Sequence, residues 1–159
     1  MKKELAKGLL MVLVVTVFAL ATAAVSAKPQ AANKVVASIP FEFSVGYKKM
    51  PAGEYTVRVI ATAGDGLLIQ NNAETDSVFR LSEATQGKAK DKSHARLVFH
   101  RYGERYFLSE VWNGSDDIGR RLIKSQEELA LERELAAIAS SGDSTHQNYE
   151  IVEVMATLR

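Results

Sequence analysis

The sequence predicts a mainly β fold, either an antiparallel β-sandwich or a small β-barrel, with one C-terminal amphipathic helix and a closing C-terminal strand. Three observations support this fold class. Short segments that alternate apolar and polar residues are separated by turn residues, residues 96–112 have the pattern of a β-hairpin, and a single late segment has helical periodicity. Seven to nine strands are expected in all.

The hairpin is the clearest of these patterns. Two runs rich in β-branched and aromatic residues flank Gly103-Glu104, and glycine suits the first central position of a type II′ turn because φ is positive there. The resulting register pairs Arg101 with Tyr106, Phe99 with Leu108 and Leu97 with Glu110 on one face, and His100 with Phe107 and Val98 with Ser109 on the other. Both faces carry large apolar side chains, so we expect the rest of the chain to cover the hairpin on both sides.

Four strands are expected before the hairpin. Residues 35–45 alternate apolar and polar side chains, and residues 54–61 do the same, which is typical of strands with one buried face. Pro40 cannot donate to a strand ladder, so an edge, a bulge or a break is expected there. Shorter strands are predicted at residues 67–70 and 78–82. Turns or loops are predicted at residues 46–50, 64–66 and 87–93.

A loop, a short strand, a helix and a final strand are expected after the hairpin, at residues 113–117, 120–124, 125–139 and 149–158. Ser125 and Glu128 form a capping box at the start of the helix. Leu131, Leu135 and Ile138 recur at helical spacing. A polar linker separates this helix from the strand that is expected to pair back onto the sheet.

The N-terminal residues have the pattern of a signal peptide. Lysines at positions 2, 3 and 7 precede the apolar run Leu9–Leu20, and small residues end at Ala27, so we expect cleavage near Ala27 and a periplasmic or extracellular location. Residues 28–34 are then a flexible leader and residues 35–159 a single β-rich domain. The alternative is an uncleaved membrane anchor, because Gly8–Val25 approaches the roughly 18 to 20 residues that span a bilayer.

Composition excludes several classes of function. The chain has 20 basic and 19 acidic residues, and removal of residues 1–27 leaves 17 and 18, a net charge of −1. This near-neutral charge argues against a nucleic-acid partner. The chain has no cysteine, which excludes disulfides, thiolate catalysis and a lipid attached to a cleavage-site cysteine.

The chain resembles a family of small uncharacterised secreted proteins of environmental bacteria. The resemblance rests on Ile39-Pro-Phe-Glu-Phe-Ser-Val-Gly46, Met50-Pro-Ala-Gly-Glu-Tyr-Thr-Val57, the hairpin from Leu97 to Trp112, and Ser125 with Glu128 before the helix. It covers most of the span from about Val35 to Leu135, with Met50 where leucine is expected. The resemblance implies a secreted single domain and no activity, cofactor or catalytic residue.

Candidate binding residues lie in the hairpin. The predicted register puts Glu110 on a face with Leu97 and Phe99, where a carboxylate needs a basic partner, and Arg101, Arg105, Arg120 and Arg121 are available. Such a carboxylate either lines a pocket or belongs to a structural ion pair. Tyr106 and Trp112 are the aromatic candidates, at the mouth of a small barrel or in its core.

Catalytic and metal sites are not predicted. The chain has no phosphate-binding loop, nucleophile elbow or His-Glu-x-x-His helix, and His94 and His100 lie about 20 Å apart if extended, too far to share a metal. The predicted register puts His100 on the hairpin face opposite Glu110. Asn113, Asp116 and Asp117 lack the spacing of an EF-hand loop.

We therefore expect a non-enzymatic secreted or periplasmic β-domain that acts as an interaction or cell-envelope module, with an unknown protein or envelope component as its partner. No cofactor or metal is predicted, and a membrane contact is predicted only if the N-terminal segment is uncleaved. The first alternative is a small barrel that binds an apolar molecule with Glu110, Trp112, Tyr106 and Arg101. The second is an enzyme whose site has no recognisable motif.

Overall fold

A computed structural model describes residues 34–60, 66–87, 94–115, 117–139 and 149–159, which belong to the compact unit Ala32–Arg159. Within these ranges the chain forms ten strands and one helix. They are β1 Lys34–Ile39, β2 Phe43–Val45, β3 Lys48–Met50, β4 Gly53–Val59, β5 Gly66–Asn71, β6 Ser77–Gln86, β7 Arg96–Tyr102, β8 Arg105–Trp112, β9 Ile118–Leu122, α1 Gln126–Ala139 and β10 Glu150–Leu158.

Several predictions fall on residues outside the described ranges. They are the signal peptide and almost all of the leader, the centre of the turn at residues 64–66, most of the loop at 87–93, Asp116, and the linker between the helix and the last strand.

Eight of the strands close into an antiparallel barrel. The strand order around the ring is β8-β7-β10-β1-β4-β5-β6-β9, and β9 pairs back onto β8. Each neighbouring pair in this ring is antiparallel. The predicted fold class is confirmed, and of its two forms the chain adopts the barrel, because closure pairs the strands that would otherwise be exposed edges.

The last strand completes the ring, as predicted. β10 lies between β1 and β7, where Thr157 is opposite Val36 and Val152 is opposite Phe99. The two ends of the domain are thus neighbours in one sheet. Backbone hydrogen bonds in both directions join Lys34 to Arg159.

The predicted interruption at Pro40 is a break. β1 ends at Ile39, and β2 leaves the ring to pair in parallel with β8, with Ser44 opposite Phe107. Residues 46–50, predicted as a turn, contain a tight turn at Gly46 and Tyr47 followed by β3. The wrong prediction for β3 has a simple cause, because a three-residue strand with two lysines carries too little alternation to be recognised.

Aromatic side chains fill much of the barrel interior. Phe43 contacts Tyr55 and Phe99 edge to face, with ring centroids 5.0 and 5.4 Å apart, and all three side chains are fully buried. Apolar alternation therefore predicted the buried face correctly for most of β1, β2 and β4. Val59 is an exception, because it lies at the end of β4 and is largely exposed.

The hairpin register is confirmed near the turn and wrong beyond it. Gly103 has a φ of +61°, and the pairs from Tyr102–Arg105 to Phe99–Leu108 are those of a two-residue turn. A bulge then inserts Ser109, so that Val98 is opposite Glu110. A bulge of one residue exchanges the two faces of the strand that follows. Glu110 consequently lies on the outer face of the barrel and does not share a face with Leu97.

The helix begins as predicted. The Ser125 hydroxyl accepts a hydrogen bond from the Glu128 backbone N–H at 3.1 Å, and the Leu129 N–H donates to the Ser125 carbonyl at 3.0 Å. The first contact satisfies a donor that an uncapped helix leaves free, and the second is the first backbone hydrogen bond of the helix itself. Across the described ranges, no helix has the length and apolar character needed to span a membrane.

Candidate functional site

A groove of about 320 Å³ lies on the outer wall of the barrel where β7, β8, β9 and β10 meet. We call it the outer groove. Its lining residues are Val98, His100, Ser109, Glu110, Arg121, Leu122, Lys124, Tyr149 and Ile151. It therefore combines charged, aromatic and apolar side chains, which is the composition of a binding site for a partly polar ligand.

The bulge in β8 creates one side of this groove. Without Ser109 as an extra residue, Glu110 would face the interior with Leu97. With it, Ser109 and Glu110 both line the outer groove beside His100. The predicted register placed His100 and Glu110 on opposite faces of the hairpin, and this prediction is wrong because the bulge puts both residues on the outer face.

Glu110 is held by two partners. Its Oε1 accepts a hydrogen bond from Arg121 Nε at 3.0 Å and lies 2.9 Å from Arg121 Nη2, while Oε2 accepts from the Trp112 indole N–H at 3.0 Å. One of the four arginines proposed as partners is therefore present. The carboxylate is therefore fixed in orientation and mostly shielded from solvent. Both alternatives for Glu110 hold, because it lines a pocket and also forms an ion pair.

Trp112 is buried against the barrel wall beside this carboxylate. The Arg96 guanidinium lies over the indole, with 4.8 Å between Arg96 Cζ and the ring centroid. The indole also covers Gly119, where an added Cβ would lie 2.7 Å from the nearest ring atoms. A glycine on β9 is what allows the large ring to lie flat on the neighbouring strand. Sequence reasoning found Trp112 but not this dependence on Gly119.

Replacing Gly119 with alanine should displace the indole. We expect Gly119→Ala to lower the free energy of unfolding by about 1 to 3 kcal/mol through overpacking and to shift the fluorescence of Trp112, the only tryptophan, to longer wavelength. Gly53→Ala is the matched control, because its φ is not positive and a Cβ built there would meet its nearest neighbour, the Tyr55 ring, at an ordinary contact distance of 3.7 Å. Unchanged emission in Gly119→Ala would contradict the packing described.

Tyr106 and Arg101, the other two predicted binding residues, lie at a different place. Tyr106 stacks on Phe41 with ring centroids 3.9 Å apart. Arg101 donates to the Gly103 carbonyl at 2.8 Å and to Glu150 at 3.1 Å. The structure therefore brings Glu110 and Trp112 together on the outer wall and leaves Tyr106 and Arg101 near the hairpin turn, outside the outer groove.

Glu128 is the functional candidate that sequence reasoning missed. The side chain is almost fully buried, and its Oε1 lies 2.8 Å from His100 Nδ1 and 3.4 Å from the Tyr102 hydroxyl. Helix α1 is thereby joined to β7. The capping box had assigned this glutamate a role within the helix, and no local pattern indicates that its side chain instead reaches another element.

This arrangement raises the pKa of Tyr102. Burial of the hydroxyl is the larger cause, and the adjacent Glu128 carboxylate is the second, because both disfavour a phenolate. The native state therefore holds the Tyr102 proton more tightly than the unfolded chain, in which a tyrosine ionises near pH 10.

Stability should consequently fall at alkaline pH. Below about pH 10 the contribution of Tyr102 is complete, and it is lost as the pH rises further, because the unfolded chain then releases a proton that the native state retains. We expect denaturant midpoints measured between pH 8 and pH 11 to fall less steeply in Tyr102→Phe than in the wild type. Part of the slope should remain, because burial also raises the pKa of Tyr55. Tyr47→Phe, at an exposed position, controls for loss of a hydroxyl, and an unaltered slope in Tyr102→Phe would contradict the prediction.

Tyr149 and Lys124 border the groove on the helix side. The ring of Tyr149 lies 4.1 Å from that of His100, and Lys124 Nζ is 5.1 Å from the same tyrosine ring. Lys124 also donates to both carboxylate oxygens of Glu132, at 2.8 and 2.9 Å. The groups that face the outer groove are thus held in place by neighbours on α1 and on the strands.

Among the residues that the structure describes, no cluster of three or more histidine or carboxylate side chains could bind a cation. What the arrangement supplies is a positioned carboxylate, two positioned cationic side chains and an aromatic ring around an apolar floor.

Comparison with protein-family models, curated proteins and solved structures finds no match to this chain.

Proposed function

We propose that this chain is an exported, non-enzymatic β-barrel that acts as an interaction or cell-envelope module and binds its partner in the outer groove. The observation that supports the proposal is the groove itself, in which Glu110, Lys124 and His100 each have a fixed orientation through a neighbouring side chain. Positioned polar groups on an apolar floor suit recognition, because little conformational entropy is lost when a ligand binds.

Export is part of the same proposal. The basic start, the apolar run and the small residues before Lys28 support cleavage near Ala27 and a periplasmic or extracellular location. A partner in that compartment is an envelope protein or another envelope component. The family resemblance of the motif segments is compatible with this location and supplies no activity.

Site-specific photo-crosslinking tests the binding site. A benzophenone amino acid at Ile151, which lines the outer groove and is 55% exposed, should form one discrete adduct when the chain is expressed in a bacterial host and irradiated. The matched position is Met155, 59% exposed on the same strand and outside the groove. Glu110→Gln should weaken the adduct at Ile151, because it removes the charge that holds Arg121.

The pattern of adducts at positions 151 and 155 decides whether a partner binds in the outer groove. An adduct at Ile151 that is absent at Met155 and reduced by Glu110→Gln supports a partner in the groove. Equal adducts at both positions, or none at either, would contradict it.

A second candidate function rests on one observation. Ser109 and His100 line the same groove, and His100 Nδ1 is held by the buried Glu128 carboxylate, as an orienting carboxylate holds the base of a serine hydrolase. This candidate requires Ser109 to react with a fluorophosphonate probe, with labelling lost in Ser109→Ala and in His100→Gln. A chain that stays unlabelled excludes it.

A further inference from the structure

A row of outward-facing residues runs from the residue after β10 across β1, β4, β5 and β6, on a part of the barrel wall that shares only β10 with the outer groove. Its members, in order, are Arg159, Lys34, Arg58, Leu68 and Phe79. Each is the cross-strand neighbour of the next, so three basic residues are followed directly by two apolar ones. We call this set the basic–apolar row.

The row lies on the outer face of the barrel, with Lys34, Phe79 and Arg159 exposed and Arg58 and Leu68 partly exposed. The sequence neighbours Val35, Val57, Leu67 and Val78 are all buried in the barrel, and strand side chains alternate between the two faces. Phe79 is 53% exposed, and Leu81, the next outward residue on β6, is 60% exposed. Ile60, which hydrogen-bonds to the neighbouring Gly66 carbonyl, adds another exposed apolar side chain.

The cations of the row are not neutralised by nearby acids. In the part of the chain that the structure describes, no Asp or Glu side chain forms an ion pair with Lys34, Arg58 or Arg159, and the one side-chain partner of Arg58 is the Gln70 carbonyl oxygen at 3.3 Å. Most other basic side chains described on the barrel wall are paired, as Arg121 is with Glu110 and Lys48 with Asp76. Unpaired cations beside exposed apolar groups leave both kinds of surface available to one partner.

We propose that the basic–apolar row docks on an anionic membrane surface. Lysine and arginine side chains are attracted to anionic headgroups, while exposed phenylalanine and leucine side chains enter the boundary between headgroups and acyl chains. A convex barrel wall presents these side chains without a pocket, which suits a fluid lipid surface better than the well-packed centre of a protein interface.

The spacing in the sequence is consistent with the same occupant. The segment predicted as a signal peptide ends at Ala27, seven residues before Lys34, a member of the row. If that segment is retained, it tethers the chain to a membrane a few residues from Lys34. The inference does not rest on the outer groove, so either proposal can fail alone.

A polarity-sensitive fluorophore on the full-length chain tests the docking. Because the chain has no cysteine, Leu81→Cys gives a single attachment point for a nitrobenzoxadiazole label beside the row, and Tyr47→Cys gives a control point on the exposed turn between β2 and β3. The labelled chain is mixed with vesicles of phosphatidylcholine containing about 30% phosphatidylglycerol, and with vesicles of phosphatidylcholine alone.

The label at position 81 should become brighter and blue-shifted with the anionic vesicles only, and the label at position 47 should not change. Since each basic residue near an anionic surface contributes about a fivefold preference, Lys34→Ala with Arg58→Ala should lower the ratio of docked to undocked chains by roughly 30-fold. The control pair Lys49→Ala with Arg133→Ala, which removes the same charge elsewhere, should have a much smaller effect. Added salt should reduce docking as well.

Three results would overturn the proposal. They are an equal response at positions 47 and 81, an equal response with neutral vesicles, and a response that survives Lys34→Ala with Arg58→Ala. A label at position 81 that changes with an acidic protein and with no vesicle would assign the row to a protein partner instead. Because the N-terminal segment is the same in all variants, the differences between variants and between the two label positions report the row and not that segment.

Discussion

Phe99→Ala is expected to lower the free energy of unfolding by about 3 to 5 kcal/mol, the range measured when a buried phenylalanine is truncated. The side chain has no solvent exposure. Its ring contacts those of Phe41 and Phe43 edge to face, at centroid distances of 5.3 and 5.4 Å. Alanine would leave a cavity where β1, β2 and β7 meet, and rings on three separate segments cannot all move to fill it. Urea unfolding followed by circular dichroism measures the loss.

Phe79→Ala is the matched control, because it removes the same side chain from the outer face. Phe79 is half exposed and covers Gly66, so we expect a loss below about 1 kcal/mol. Similar losses for the two variants would mean that Phe99 does not lie at the centre of the core.

Glu128→Ala should be the second most damaging change, at about 3 kcal/mol. The substitution leaves the buried Tyr102 and the partly buried His100 without their shared acceptor and removes the link between α1 and β7. The helix should also become accessible to proteases, and limited trypsin digestion after Arg133 would measure this directly. Glu128→Gln keeps the shape and one acceptor oxygen, so its loss should be smaller.

Glu127→Ala is the control for Glu128→Ala. It removes a negative charge from the same helix end but leaves the contacts of Glu128 with His100 and Tyr102 intact. Glu127 lies in the same first turn of α1 and pairs with Arg105 on the surface. An exposed pair of this kind contributes less than about 1 kcal/mol. If Glu127→Ala were as destabilising as Glu128→Ala, the effect would come from the charge at the helix N-terminus and not from the contact with His100 and Tyr102.

The local elements could be predicted because their causes are local. Gly103 supplies the positive φ that a two-residue turn requires, so four residue pairs of the hairpin followed from one glycine. Ser125 supplies the acceptor that starts α1. Pro40 ends β1 because it has no N–H to donate. In each case the deciding group lies within a few residues of the structure that it determines.

The candidate site could be predicted only in part. Glu110 and Trp112 were identified because a charged and a large aromatic residue stand out in an apolar hairpin, and the partner Arg121 was among the arginines considered. Their face was wrong, since nothing in the sequence around Ser109 signals a bulge. Glu128 was assigned to the helix cap because its partners, His100 and Tyr102, are 28 and 26 residues away along the chain.

The sequence by itself determined the fold class, most of the strands, the hairpin turn and the start of the helix, since alternation, turn chemistry and capping act over short distances. Only the tertiary structure decided that the sheet closes, because closure depends on whether β9 can reach both β6 and β8. Closure and the bulge at Ser109 together decide which side chains share the outer groove. Both depend on how strands distant in sequence fit one another, a property that no single segment contains.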